Sequence, residues 1–236
     1  MSRASFVIGS LLVIGSALVA PVARAAVVKN ISTGINPATG QKVPNAQATT
    51  AYVIAPGGTG GQVGQRIVAW SSEIPPYGYP GTYAPDEASA ASRWISIFPP
   101  GAPNPIVGLG TFHYQTTVDL TGFDPATAVI ASPRMAVDDA FRGVRVNGVT
   151  VFTPPPPGYY SNMDHLIDLP AGLGAGAFRA GVNTVTLVVE NVADQSPASI
   201  RFEGTVTATP IPEPAGAAVL ALTAGLGLAL RRRGRV

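Results

Sequence analysis

The residues able to carry chemistry are few, and Asp138-Asp139 is the most pointed of them. Carboxylates beside loop carbonyls hold hard cations, so Asp138 or Asp139 is a candidate ligand for a structural Ca²⁺. The competing role is structural: one Asp caps the following turn and pairs with Arg142 or Arg145. Successive side chains of a strand point to opposite faces, which argues against a paired-carboxylate hydrolase site unless the strand has ended there. No spaced calcium-loop signature surrounds the pair.

Other catalytic constellations are poorly supplied. The chain has two histidines, His113 and His165, and no cysteine. Thiolate nucleophiles and thiolate metal sites are therefore excluded. A serine nucleophile needs a base and an acid in reach, and neither Gly-x-Ser-x-Gly nor His-Glu-x-x-His occurs. His113 lies on the polar side of a strand pattern and reads as a solvated surface residue. Gly172-Leu-Gly-Ala-Gly-Ala177 imitates a dinucleotide fingerprint but lacks the strand before and the helix after it. It reads as a flexible loop, and no cofactor is expected. Sugar recognition uses exposed aromatic rings beside amides and carboxylates. Tyr77, Tyr79, Tyr83, Tyr159 and Tyr160 are such candidates, with Asn162 and Asp164 next to the last two.

The elements that must position these residues are strands. The chain has 236 residues, of which 27 are Gly and 23 Pro, which disfavours a helical bundle. Phe112, Tyr114, Thr116, Val118 and Leu120 alternate with His113, Gln115, Thr117 and Asp119. That period of two marks a half-buried strand. Further strands are expected at 127–131, 135–138, 142–146, 149–152, 182–192 and 200–206. Asn147-Gly148 joins two of them as a two-residue hairpin, because both residues tolerate positive φ. In 182–192, Val185, Leu187 and Val189 face inward. In 200–206, Ile200, Phe202, Gly204 and Val206 share one face, with Arg201, Glu203 and Thr205 on the other. Trp94 reads as a core residue. Residues 56–64 read as a flexible loop, and Pro75 to Pro80 as an extended surface loop. The expected fold is all-β, an antiparallel sandwich over residues 26–208.

Charge is partitioned along the chain. The net charge is +2 and the pI about 9.1. Six of the fifteen basic residues are Arg3, Arg24, Arg231, Arg232, Arg233 and Arg235, at the two ends. Residues 26–212 hold nine basic and twelve acidic residues, a net of −3. A nucleic-acid binder carries its basic patch on the folded domain, so nucleic acid is not an expected partner.

Both ends read as transport segments. Arg3, the apolar run Phe6–Ala20 and Ala23-Arg24-Ala25 form a secretory signal peptide over 1–25. Cleavage is expected after Ala25, and the Sec translocon and signal peptidase are the expected partners. Residues 209–236 contain Pro212-Glu213-Pro214, an uncharged run from Ala215 to Leu230, and an Arg-rich end. Sixteen helical residues span roughly 24 Å, enough for a thin bilayer with snorkelling arginines. Arg231, Arg232, Arg233 and Arg235 then keep the C-terminus cytoplasmic.

Those three features, in that order, resemble the PEP-CTERM sorting signal of Gram-negative bacteria. The resemblance covers residues 211–236. It implies recognition by the membrane protease-transferase exosortase, processing near Pro212-Glu213-Pro214, and release or attachment at the cell surface, in organisms that make exopolysaccharide and biofilm. The middle resembles a galactose-binding-like jelly roll over about residues 92–207. The resembling elements are "FHYQTTVDLTGFDPATAVI", "MAVDDAFRGVRVNGV", "FRAGVNTVTLVVEN" and "IRFEGTVT", with Arg93-Trp94-Ile95 as the lead-in. That fold serves sugar-binding modules, adhesion domains and accessory domains alike, and such jelly rolls often carry a structural Ca²⁺. The expected function is that of an exported, non-catalytic surface or matrix protein with polysaccharide as a candidate ligand. The competing expectation is a secreted glycan-active enzyme or its accessory module.

Overall fold

The computed structural model describes residues 25–63, 65–71, 83–85, 91–98, 106–194 and 196–211. The signal segment up to Arg24, including Ala23, lies outside the described residues. So do Tyr77, Tyr79, Pro212, Glu213, Pro214 and the whole C-terminal arginine cluster. Among the described residues there is no helix. The strands are β1 (Ala26–Asn30), β2 (Gln47–Ala48), β3 (Val53–Ile54), β4 (Ile67–Trp70), β5 (Trp94–Ile97) and β6 (Ile106–Val107). They continue with β7 (Gly110–Asp119), β8 (Phe123–Val146), β9 (Val149–Phe152), β10 (Tyr160–Asp168), β11 (Val182–Asn191), β12 (Ser196–Pro197) and β13 (Ser199–Pro210).

Eleven of these form one open antiparallel sheet in the order β2-β4-β5-β13-β8-β11-β7-β3. β1 adds to β13, and β9 and β10 add to β8. The arrangement is that of an all-β sheet folded back on an apolar core, consistent with a sandwich. One arm contributes Ile95, Ile97, Ile200, Phe202, Met135 and Val137 to that core, and the other Phe112, Tyr114, Val185, Leu187 and Val189.

The alternation expected for β7, β11 and β13 is present. Phe112, Tyr114, Val118 and Leu120 are buried, as are Val185, Leu187, Val189, Ile200, Phe202 and Val206. The Asn147-Gly148 hairpin has φ of 52° and 81° at its two residues and joins Val146 to Val149 in register. The three separate strands expected between 127 and 146 are instead one strand, β8, 24 residues long. Pro133 does not break it, because register shifts in the β13 pairing absorb the irregularity between Glu203 and Thr205.

Residues 56–61 are not a loose loop. Ala55 N donates to His113 O at 2.9 Å and Gly60 N to Thr111 O at 3.0 Å, so this segment extends the β3–β7 edge. Its glycines are required by closeness: a Cβ on Gly58 would stand 2.4 Å from Thr111 O, and one on Gly60 2.4 Å from the Phe112 ring. The same cover buries His113, which is 5% exposed and whose Nδ1 lies 3.2 Å from Pro56 O. The expectation of a solvated His113 is thus overturned. Gly58→Ala should destabilise the domain by about 1–3 kcal/mol in urea unfolding, the usual cost of overpacking. Gly108→Ala, whose nearest new neighbour is 3.9 Å away, should stay within about 0.5 kcal/mol of wild type.

Candidate functional site

The acidic pair sits where β8 changes partners. β13 pairs with β8 as far as Ser199↔Asp138, and β11 takes over at Glu190↔Ala140. Asp138 and Asp139 are joined by a cis peptide bond at this handover. The two side chains engage different segments of the chain. Asp138 is 4% exposed, and the Tyr83 hydroxyl donates to its Oδ2 at 2.6 Å. Burial, then the neighbouring Asp139, push the Asp138 carboxyl up to about 7, against the opposing pull of the Tyr83 hydroxyl.

Asp139 reaches the other way. Its Oδ2 accepts Val192 N–H at 2.9 Å, Ala193 N–H at 3.0 Å and the Ser196 hydroxyl at 3.3 Å. The pair therefore pins two segments, 83–85 and 192–196, to one point on β8. Among the described residues neither carboxyl pairs with Arg142 or Arg145. Arg142 instead forms an ion pair with Glu190 and lies 4.9 Å over the Tyr159 ring. The described residues contain no group of three His, Cys, Asp or Glu side chains placed to hold a metal ion.

Around Asp138 lies a second, smaller core on the outer face of the β4-β5-β13-β8 arm. Trp70, Trp94 and Tyr83 pack together, with ring centroids 5.0 to 5.5 Å apart. Trp94 is fully buried, as expected, but on the face opposite Ile95 and Ile97. Its Nε1 donates to Ala84 O at 3.1 Å. Tyr83 is buried too, so it is a packing residue and not an exposed platform. Beside it the Arg201 guanidinium, 2% exposed, donates to Ala84 O at 3.0 Å, to Pro85 O and to Ser92 Oγ at 2.9 Å. Its Nη2 stands 3.4 Å from Glu203 Oε1, and Glu203 also pairs with Arg134. Burial pushes the Glu203 carboxyl up, but the Ser92 hydroxyl, Arg134 and Arg201 outweigh it and hold it below the ordinary range. Two buried polar atoms on this face, Trp70 Nε1 and Ser199 Oγ, have no hydrogen-bond partner.

The aromatic segment around β10 is divided. Tyr159 is 38% exposed, while Tyr160 stacks on Phe152 at 6.1 Å and packs against the main core. Asn162 Nδ2 donates to His165 O, closing an outward bulge between Asn162 and Ile167. Asp164 and His165 stand at its tip, 2.8 Å apart and both exposed. Tyr160 and Asn162 are thus committed to structure, and of the four expected contact residues Tyr159 and Asp164 remain at the surface. Residues 172–177 are likewise ordered: Leu173 is buried and its carbonyl accepts Ile130 N–H at 2.8 Å.

The polar network of Arg201, Glu203 and Ser92 escaped sequence reasoning. The alternation in β13 marked those positions as the polar face, and nothing local signals that a distant segment covers it. No family model, no curated protein and no solved structure matches this chain.

A proton held on buried Asp138 has a measurable consequence. A carboxyl raised from 3.8 to about 7 on folding contributes stability that is full below pH 4 and lost as pH rises to about 7. Asp138→Asn keeps an acceptor for Tyr83 and does not titrate. Urea unfolding from pH 4 to 8 should show wild type losing stability relative to the variant by up to about 1.4 kcal/mol per pH unit, the slope of one proton. Above pH 7 the difference should level off. Parallel curves would remove the protonated Asp138 from the account.

Proposed function

We propose that this chain is an exported, non-catalytic cell-surface or matrix protein of a Gram-negative bacterium. Its β domain would be a jelly roll of the galactose-binding-like kind. Its C-terminal segment would be a sorting signal handled by exosortase. The signal peptide directs the chain through the Sec translocon to signal peptidase. The apolar C-terminal run then holds it in the inner membrane until processing near Pro212-Glu213-Pro214.

The observation that carries this reading is a coincidence of boundaries. β1 starts at Ala26, the residue after the expected cleavage at Ala25. β13 ends at Pro210, and Ile211 N still donates to Gly122 O at 2.9 Å. The first and last described strands thus begin and end beside the two expected processing points. β1 pairs antiparallel with β13, Ala26 beside Ala208, so the chain enters and leaves the domain at neighbouring positions. A body attached through adjacent ends suits presentation from a membrane, where one stalk can be cut without disturbing the fold. Prolines at 212 and 214 stop helix and favour extended backbone, the form a protease accepts.

A non-catalytic role is supported by how the candidate groups are spent. Asp138 accepts from the Tyr83 hydroxyl, Asp139 from backbone N–H groups, and Arg201 pairs with Glu203 and donates to backbone carbonyls, all inside the domain. Polysaccharide contact is the expected activity at the surface.

Replacing Pro212-Glu213-Pro214 by three alanines should leave a full-length, membrane-retained form in the producing cell. Processed protein at the surface in wild-type amounts would refute the sorting assignment. Polysaccharide hydrolysis by the purified chain, abolished by Asp138→Ala or Asp139→Ala, would overturn the non-catalytic one.

A further inference from the structure

On the outer face of the arm that ends in β3, five side chains line up across five strands. Register puts Val53 opposite Gln115, Gln115 opposite Thr186, Thr186 opposite Arg145, and Arg145 opposite Thr150. Directly paired residues share a face. That face is turned away from the core, because the flanking Tyr114, Leu187 and Val144 lie in the core. Neighbouring strands stand about 4.8 Å apart, so the row is roughly 19 Å long. The next row along adds Thr117 opposite Thr184.

Arg145 differs from the other arginines built into the sheet. Arg134 and Arg201 pair with Glu203, and Arg142 pairs with Glu190. Arg145 is half-buried, yet among the described residues its side chain has no hydrogen bond and no ion pair. A guanidinium drawn partly out of water loses hydration that an acceptor would ordinarily replace. Its charge reaches as far as β7. Burial holds the His113 imidazole below the usual histidine range, against the pull of the Pro56 carbonyl, and the Arg145 charge adds to the effect of burial. Beside Arg145, the Thr186 hydroxyl accepts Gln115 Nε2 at 3.0 Å, and among the described residues nothing accepts the hydroxyl's own proton.

This set of groups selects its ligand. The planar fork of a guanidinium matches a carboxylate. Threonine hydroxyls and the Gln115 amide donate and accept, as the hydroxyls of a sugar ring require. Val53, 54% exposed at the β3 end of the row, offers apolar surface to the C–H face of a ring. The polar groups recur at the strand spacing, close to the length of one sugar ring in an extended chain. They lie along an open face, where a small anion would meet Arg145 alone and an extended polymer would meet the whole row.

We propose that the outer face of β3-β7-β11-β8-β9 binds an extended acidic polysaccharide, with a sugar carboxylate on Arg145 and ring hydroxyls on Gln115, Thr117 and Thr150. The inference deepens the surface-protein reading and rests on it, but moves the contact from Tyr159 and Asp164 to a sheet face.

The test titrates the full chain in detergent, by calorimetry, against three polymers. These are polygalacturonate, its methyl ester, which keeps the rings without the charge, and polyglutamate, a polyanion without rings. Polygalacturonate should bind, and the other two should bind at least about tenfold more weakly. Arg145→Gln should weaken binding about tenfold or more, the worth of one charge-assisted hydrogen bond, and flatten its salt dependence. Arg145→Lys, which keeps the charge without the fork, should fall between the two. Tyr159→Ala should bind as wild type does. Arg145→Gln should also leave the urea midpoint where it is. A lowered midpoint would give the guanidinium a partner inside the chain and overturn the site. Equal binding of the ester or of polyglutamate, or unchanged binding by Arg145→Gln, would overturn it as well. Loss of binding in Tyr159→Ala with Arg145→Gln intact would return the contact to β10. If the chain is processed and exported but fails these titrations, the face assignment falls and the export reading stands.

Discussion

Both arms of the domain hydrogen-bond to one strand. β8 carries β13 and β10 along its first part and β11 and β9 along its last. A strand that serves two diverging arms must change partners somewhere, and backbone groups near the change lose their ladder mates. Here the change falls at Asp139, between the last β13 pair and the first β11 pair. The side chain repairs what the ladder cannot: Asp139 accepts the Val192 and Ala193 N–H groups of the chain leaving β11 for β13. Four residues on, Gly143 has φ of 140°, and a Cβ there would stand 2.2 Å from Phe152 O. The acidic corner and the glycine are both consequences of bending one strand through two arms.

That geometry also explains the buried polar face. Once β8 turns away, the outer face of the β4-β5-β13-β8 arm is left broad and half polar. Segment 83–85 and the β10 side chains Met163 and Leu166 lie over it. Arg201 is the device that binds the cover, since its guanidinium donates to two carbonyls of that segment and to Ser92 while pairing with Glu203. A buried arginine is tolerable only when its donors are matched, and an arginine's fixed fork suits two carbonyls and a carboxylate at once. The guanidinium's hydrogen bonds to the Ala84 and Pro85 carbonyls therefore fix segment 83–85 against β13, with Tyr83 on Asp138 as the second fastening.

The period of two was enough to find β7, β11 and β13 and the apolar side of each. It could not show that the polar sides of β7 and β13 are also covered. Alternation reports which face is apolar, and a covered polar face has the same pattern as a wet one. His113 and Arg201 were hidden for that reason. Gly58 and Gly60 were hidden for another: a glycine required by close approach and a glycine in a loose loop are the same letter. Asp138-Asp139 stood out in sequence as a site worth testing, yet its role depends on Tyr83 and Ser196, 55 and 57 residues away. Non-local closure of that kind has no local signature.

The two aromatic-rich stretches show how exposure decides between packing and recognition. Tyr83 and Tyr160 have the composition of sugar platforms, but one faces Trp70 and Trp94 and the other stacks on Phe152. Aromatic surface beside an open core is worth more buried than displayed, since each ring removes a large apolar area from water. Amides divide in the same way: Asn183 and Asn191 are buried with their hydrogen bonds made, while Asn36, Gln41 and Gln47 stay exposed. In a chain with 12% charged residues, Asp138, Asp139 and Arg201 are spent on holding covering segments to the sheet.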